Sequence, residues 1–161
     1  MQHKPPFLPP ALGLLVMLGI FSLHFIWPIG TLFPYPWNFI GLIPLVLGAL
    51  LNIVADRELQ RAGTTSRPFE RPTSLVERGV FRISRNPMYL GSVCIAVGLS
   101  IWVGSVSSWV VVPLFVLVLY WVFIRSEERV LEQEYGVRYQ AYCRRVCRWC
   151  GRCKEQPSSD T

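Results

Sequence analysis

Long apolar stretches alternate with charged segments along this chain. No charged residue occurs in residues 5–55 or 86–124, and each interval is long enough for two membrane crossings at about 20 apolar residues per helix. A proline-rich turn divides the first interval, and the Gly104-Ser105 pair divides the second. The predicted spanning helices cover about 7–27, 39–55, 89–103 and 107–124.

The composition supports a bilayer as the solvent for these segments. Hydrophobic residues make up 52% of the 161 residues and charged residues 16%, which is too apolar for an ordinary soluble domain. A buried soluble hairpin is the alternative for the second pair of segments, but four apolar helices are too many for one small soluble core. We predict a single all-α domain over 1–161, a polytopic membrane helical bundle with a cytosolic loop at 56–88 and a C-terminal amphipathic cytosolic helix and tail at 125–161.

Lysine and arginine residues set the expected orientation, because cationic loops resist translocation. They gather in the loop between segments two and three and in the tail after segment four, whereas the two turns at the opposite end have none. We therefore expect an integral membrane protein with cytosolic termini, in the inner membrane of a bacterium or the endoplasmic reticulum of a eukaryote. Membrane lipids are its expected neighbours, and nucleic acid is not expected because no recognition motif accompanies the arginines.

The end of the middle loop has the features of a helix start. Pro87 suits the first turn of the third segment, with Asn86 as the N-cap. Free amides and the helix dipole at such a position favour an anion or a carboxylate. A capped helix at the membrane surface with no ligand is the alternative.

The tail after the fourth segment carries an apolar stripe with helical spacing. This stripe places Glu128 on the buried side of the helix, whereas Glu127 lies about 100 degrees around it. Two kinds of partner are open for the Glu128 carboxylate: an arginine such as Arg125 or Arg82, or the amine or hydroxyl groups of a ligand. The stripe consists of Leu131, Tyr135, Tyr139, Tyr142, Val146 and Trp149.

Two blocks of residues are specific when they occur together. The first contains Leu75-Val76, Gly79-Val80-Phe81 and the run from Arg85 to Gly91; the second contains Glu127-Glu128, Leu131, Tyr135-Gly136, Tyr139, Tyr142, Val146 and Arg148-Trp149. In these blocks the chain resembles the isoprenylcysteine carboxyl methyltransferases and the related phospholipid N-methyltransferases, which are polytopic membrane enzymes that use S-adenosylmethionine. The similarity spans about 63–149.

The resemblance implies a cofactor pocket that opens to the cytosol, with the first block as one wall and the glutamate pair as the other. We expect the helix start at Asn86 to receive the carboxylate of S-adenosylmethionine, and Glu127 and Glu128 to hold its amine or ribose. Many relatives have histidine at Asn86, and asparagine keeps a hydrogen-bonding side chain but cannot become cationic. The expected catalytic residues are Arg125, which would orient an anionic acceptor, and Glu128. The expected cofactor-binding residues are Thr73, Ser74, Leu75, Val76, Phe81, Asn86, Pro87, Met88, Tyr89, Glu127 and Glu128.

The implied reaction moves a methyl group to a lipophilic or small acceptor that offers a carboxylate, an amine or a thiol. Positioning is expected to dominate catalysis, because the cofactor itself brings the reactivity. A noncatalytic membrane scaffold or lipid-binding protein is one alternative, and an NADPH enzyme of the sterol-reductase type is another. The acceptor and the oligomeric state stay open.

Four cysteines crowd the end of the tail: Cys143, Cys147, Cys150 and Cys153. Their spacing is compatible with a thiolate metal site and with palmitoylation, but we favour reduced thiols and predict no metal. A disulfide is not expected in the cytosol. Within the membrane segments, we expect Cys94 to pack and a neutral His24 to bond to a neighbouring helix.

Overall fold

The computed structural model describes residues 9–64 and 74–151. Its α-helices are α1 Pro9–Ile26, α2 Leu42–Arg61, α3 Pro87–Val103, α4 Val111–Val118 and α5 Arg125–Arg145. Short 3-10 turns lie at Trp37–Gly41, Gly79–Arg82 and Ser107–Val110, and a π-helical turn covers Leu119–Ile124. Within the described ranges, extended pairing is limited to one bridge between Thr31 and Ser105. The prediction of an all-α fold is confirmed.

Helices α2 and α3 run antiparallel and pack backbone against backbone. Gly41 faces Gly98 and Gly48 faces Gly91, so a Cβ added to any of them would collide with the carbonyl oxygen of the glycine opposite. Helices in lipid associate through such small residues, because close approach gains van der Waals contact that lipid tails cannot match. This contact fixes the start of α3 beside the end of α2.

Serine hydroxyls close the end of the bundle that lies opposite the charged segments. Ser107 and Ser108 donate to backbone carbonyls of α1 at 3.2 Å each. Gly104 ends α3 with a φ of 78°, and its carbonyl accepts the amide of Leu32 at 2.7 Å. Among the described residues, Nδ1 of His24 has no hydrogen-bond partner, so this nitrogen does not make the expected bond to a neighbouring helix.

The core lies where α1, α3 and α4 meet, around buried side chains such as Ile20, Leu99 and Phe115. The outward faces are apolar too, with Leu47 58% and Leu114 59% exposed. Water would not favour such faces, whereas lipid does. The fold is therefore built for a bilayer.

Two helices are long and apolar enough to cross a membrane, Trp37–Arg61 and Ser107–Arg145, while α1 and α3 are apolar but shorter. The count of four spans stays a prediction. Helix α2 runs six residues beyond the predicted segment end at residue 55, because its last turns are polar and paired: Gln60 donates to Asp56, and Arg61 pairs with Glu58.

The fourth predicted segment continues into the tail helix without a loop. Helix α4 passes through the π-helical turn directly into α5. A break falls instead at Gly136, whose φ of 45° and ψ of −120° are open to glycine and strained for other residues. The second half of α5 therefore leaves at a new angle and ends at Arg145, so that Val146 and Trp149 lie beyond the helix.

Candidate functional site

The start of α3 lies where the middle loop, α5 and the tail converge. Asn86 precedes Pro87 in a nonhelical conformation, as residues before proline prefer, and Pro87 is the first residue of the helix. The Asn86 side chain makes no capping bond; its amide donates to the carbonyl of Arg148 at 3.4 Å. Ser84 donates to the same carbonyl at 3.2 Å. The helix start is thus tied to the tail.

Glu128, in the first turn of α5, binds two arginines. Arg148 donates to both carboxylate oxygens at 2.9 and 2.6 Å, and Arg85 lies 3.3 Å from one of them. The Glu128 hydrogen bonds raise the pKa of Arg148, because they stabilise the charged guanidinium. Of the two kinds of partner left open by the sequence, the structure shows an arginine. The partners are Arg85 and Arg148 rather than the suggested Arg125 or Arg82, because the tail folds back and brings Arg148 to this carboxylate.

These contacts do not satisfy all the hydrogen-bond donors of the Arg85 guanidinium. Its Nη1 contacts Cys143 as well as Glu128, whereas its buried Nε has no partner among the described residues. Two guanidinium groups share the one Glu128 carboxylate, so this cluster carries a surplus positive charge. An unpaired buried donor with surplus positive charge favours an anionic ligand.

Glu127 has different surroundings from its neighbour. The Tyr89 hydroxyl donates to its carboxylate at 2.5 Å, and the Tyr89 ring lies 6.2 Å from that of Phe123. Burial raises the pKa of Glu127 to about 7; the Tyr89 hydrogen bond lowers this pKa and the Glu128 charge raises it. The side chain that was expected to lie around the helix from the buried face therefore points at α3.

Arg125 lies beside the membrane-facing aromatic residues rather than with the glutamates. Its guanidinium sits 4.6 Å from the centre of the exposed Trp121 ring, in a cation–π contact. Arg148 makes a similar contact with Tyr120 at 5.2 Å. These contacts place Arg125 where the apolar part of the helix ends, and its role toward an acceptor stays a prediction.

The second half of α5 docks on the middle loop. Tyr142 donates to the carbonyl of Phe81 at 2.6 Å, and Leu75 packs with Tyr139, Tyr142 and Val146. Beyond the helix, the amide of Gly151 donates to the carbonyl of Ile83 at 2.9 Å. The tail is therefore a structural wall of the site.

The predicted cofactor residues fall into two groups. Asn86, Tyr89, Glu127 and Glu128 meet at the starts of α3 and α5. A second group lies toward the end of α2, where Val76 and Phe81 form an apolar cluster with Met88 at its edge. Thr73 lies outside the described residues.

A cleft of about 480 Å³ opens beside the second group. Ser74, Leu75 and Val76 line it together with Arg61 at the end of α2 and Arg138 of α5. Ser74 also donates to the carbonyl of Ala62 at 3.0 Å, which holds the loop against α2. The predicted segment thus lies at a cleft, but the glutamate pair is not among the residues that line this cleft.

The tail cysteines differ from expectation at one position. Cys147 is disulfide-bonded, whereas Cys94, Cys143 and Cys150 are free. The prediction of reduced thiols is therefore wrong for Cys147: the chain turns back after it, with its amide bonded to the Gly151 carbonyl at 3.0 Å, so that later residues come close. Over the described ranges, no group of three or more His, Cys, Asp or Glu residues is placed to hold a metal, and Cys153 lies outside those ranges.

The sequence-based site omitted the two arginines of the Glu128 cluster. Arg85 and Arg148 both lie within the resembling blocks, but their charges are also explained by membrane topology. A usable signal was present, since a buried carboxylate on the apolar stripe requires a cationic partner. Choosing that partner required the fold of the tail.

Comparisons with known proteins agree with this architecture. The solved structure of a eukaryotic intramembrane Ras methyltransferase, isoprenylcysteine carboxyl methyltransferase, matches with a TM-score of 0.62 and 21% identity over 98% of this chain and 54% of that one. The chain spans about half the length of that methyltransferase, and the likeness is one of fold.

Sequence comparisons identify the family. An uncharacterised protein of Haemophilus influenzae is 36% identical over 62 residues, which are 38% of this chain and 98% of that protein. The family model for phospholipid methyltransferases matches residues 37–138, more than half of the 161 residues. This membrane protein belongs to the phospholipid methyltransferase family.

Proposed function

We propose that this membrane methyltransferase uses S-adenosylmethionine and transfers its methyl group to a lipophilic or small acceptor that reaches the site from the bilayer. The observation that carries the proposal is the cluster of Arg85, Glu128 and Arg148 at the start of α3. When bound, the cofactor supplies an electrophilic methyl group on a sulfonium. The protein has to hold the cofactor, align the acceptor and exclude water.

The residues of the cluster fit the amino-acid end of such a cofactor. The unpaired Nε of Arg85 and the surplus positive charge suit its carboxylate. Glu128 suits its ammonium group, in competition with Arg148, which occupies this carboxylate in the protein alone. Asn86 would add a neutral amide at the same place.

The predicted segment from Ser74 to Val76 and the aromatic residue Phe81 would then serve the remainder of the cofactor. Support comes from the cleft beside Ser74, Leu75 and Val76. Arg125 would face an anionic part of the acceptor from the membrane interface, where it rests on Trp121. Membrane lipids are the proposed source of lipophilic acceptors.

Calorimetric binding of S-adenosylmethionine and S-adenosylhomocysteine to the protein in nanodiscs tests this proposal. Glu128→Gln and Asn86→Ala should each weaken binding, by about tenfold or more for the charged hydrogen bond. Glu132→Gln is the matched control, because Glu132 is exposed and bonds to Gln140. Absence of binding by folded wild-type protein would refute the proposal and favour a membrane scaffold.

We also propose that the termini, the middle loop and the tail face the cytosol, at the inner membrane of a bacterium or the endoplasmic reticulum. The free, exposed thiol of Cys150 offers a test. A membrane-impermeant maleimide should label it in inside-out vesicles and spare it in right-side-out vesicles, with Cys150→Ser as the control. Labelling in the opposite vesicles would reverse the topology.

A further inference from the structure

The turn that follows α5 connects the two arginines of the Glu128 cluster. Residues 147–151 are named the tail turn. Its first residue, Cys147, accepts the backbone amide of Arg85 at its carbonyl at 3.1 Å, and its second residue is Arg148 itself. A displacement of the tail turn would therefore move both of the arginines that bind Glu128.

The tail turn lies beyond the end of α5 and is held by hydrogen bonds to the residues before α3. Ser84 and Asn86 donate to the carbonyl of Arg148 at 3.2 and 3.4 Å. The amide of Gly151 donates to the carbonyl of Ile83 at 2.9 Å. Each such bond replaces a bond to water and so adds little net stability. A short segment held in this way needs a further restraint to keep one position.

A covalent bond supplies such a restraint at the first residue of the tail turn. Cys147 is disulfide-bonded and half-buried. A free thiol lies on each side of it in the chain: the sulfur of Cys143 is 2.6 Å from Nη1 of Arg85, and Cys150 is exposed. A disulfide restrains a chain by limiting the conformations that the chain can otherwise adopt. Reduction would return that freedom to the tail turn.

The compartment proposed for the tail decides which kind of disulfide this is. Permanent structural disulfides are typical of oxidising compartments, whereas disulfides in the cytosol are usually transient and serve redox sensing or catalysis. Exchange requires that a thiolate can reach one of the two sulfurs, and the exposed Cys150 shows that this part of the tail is open to solvent. A cytosolic tail therefore favours a reversible bond at Cys147.

We propose that the disulfide at Cys147 is a reversible redox switch for the cofactor site. In the oxidised protein, the tail turn is fixed against residues 83–86 and holds Arg85 and Arg148 at Glu128. Reduction by a cellular dithiol frees the tail turn, and the cluster then loses part of its affinity for the cofactor. The inference rests on the proposed cofactor site and on the proposed cytosolic position of the tail.

The redox step balances as a thiol–disulfide exchange. A thiolate of the dithiol attacks one sulfur of the protein disulfide, the S–S bond breaks, and the other cysteine leaves as a thiolate that takes a proton from water. The second thiol of the reductant then attacks the mixed disulfide and releases the second cysteine, which is also protonated. The protein gains two electrons and two protons, and the dithiol becomes a disulfide.

Thiol trapping tests whether the bond is reversible in the cell. Cells are quenched with acid, free thiols are alkylated, and mass spectrometry reports the state of Cys147. We expect the thiol oxidant diamide to raise the oxidised share and dithiothreitol to lower it. Peptide mapping should pair Cys147 with Cys153, which lies outside the described residues, because the other three of the five cysteines are free. An oxidised share that stays the same under both treatments would make the bond a permanent one and overturn the switch.

Calorimetry of S-adenosylhomocysteine binding in nanodiscs tests the consequence for the site. The oxidised wild type should bind at least about tenfold more tightly than the same protein reduced with dithiothreitol, because charged hydrogen bonds of the cluster are weakened. Reoxidation should restore the affinity. Cys147→Ser should bind like the reduced wild type and show no response to the reductant. Cys150→Ser is the matched control: it removes a free, exposed thiol of the same turn and should keep the full redox response.

Three results would overturn the switch and leave the proposed function standing. The first is equal affinity of the oxidised and reduced wild-type proteins. The second is a Cys147→Ser variant that binds like the oxidised wild type. The third is a loss of helix content on reduction, measured by circular dichroism, which would make the bond a requirement for folding. Absence of binding in both redox states is a different outcome, since it would refute the proposed function itself and the switch with it.

Discussion

Glu127 and Glu128 are neighbours in the chain, yet one lies on the apolar side of the site and the other on the charged side. Glu127 meets a phenol from α3, and Glu128 meets two arginines from the loop and the tail. The difference arises because consecutive residues of a helix point about 100 degrees apart. One turn of α5 therefore reaches two environments, one with a phenol and apolar neighbours and one with two guanidinium groups.

The surroundings of the two carboxylates suit them to different tasks. A carboxylate that binds two guanidinium groups is fixed in position, which suits binding and closure of the tail. A carboxylate with one neutral donor and apolar neighbours can change its charge near neutral pH. Variants that change only Glu127 or only Glu128 test whether the two carboxylates differ in this way.

The largest expected effect belongs to Glu128→Gln. This change leaves the largely buried Arg85 and the partly buried Arg148 without their carboxylate, and breaking a buried ion pair from one side is strongly destabilising. We expect the free energy of unfolding to fall by about 3 kcal/mol, measured by denaturant titration in mild detergent.

The same titration on Glu132→Gln provides the control. Glu132 is exposed and accepts one hydrogen bond, from Gln140, so its loss should change stability by about 0.5 kcal/mol or less. Equal losses in the two variants would contradict a special structural role for Glu128.

The next effect concerns Glu127 and pH. Its pKa is raised from 4.5 to about 7, so the folded protein keeps this proton over a range in which the unfolded chain has released it. The free energy of unfolding should therefore fall as pH rises from about 4.5 to about 7, by at most about 1.4 kcal/mol per pH unit for one proton. Stability curves of wild type and Glu127→Gln should diverge within this window and run parallel outside it; parallel curves throughout would contradict the raised pKa.

The sequence predicts the local features of this site but not its long-range contacts. The apolar segments, the start of α3 at Pro87 and the buried position of Glu128 follow from local periodicity and helix-start chemistry. The partners of the two glutamates do not, because they depend on contacts between residues far apart in the chain. Arg148 reaches Glu128 because the chain bends at Gly136 and turns back near Gly151, and Tyr89 reaches Glu127 because α3 and α5 start at the same end of the bundle.

The smallest effect is expected at the bend in α5. Gly136 has a φ of 45° and open space where a Cβ would lie, so Gly136→Ala costs backbone strain rather than a collision, about 1–2 kcal/mol. Relief of that strain would straighten α5 and pull Tyr142 and Arg148 from the middle loop.

Gly13→Ala in α1 is the control, since its Cβ site is also open and alanine suits a helix. Gly136→Ala should therefore weaken cofactor binding and lower stability while leaving the pKa of Glu127, measured by infrared titration of its carboxyl group, unchanged, because Glu127 lies before the bend. A shifted pKa of Glu127 would show that the charged and apolar sides of the site are coupled through α5.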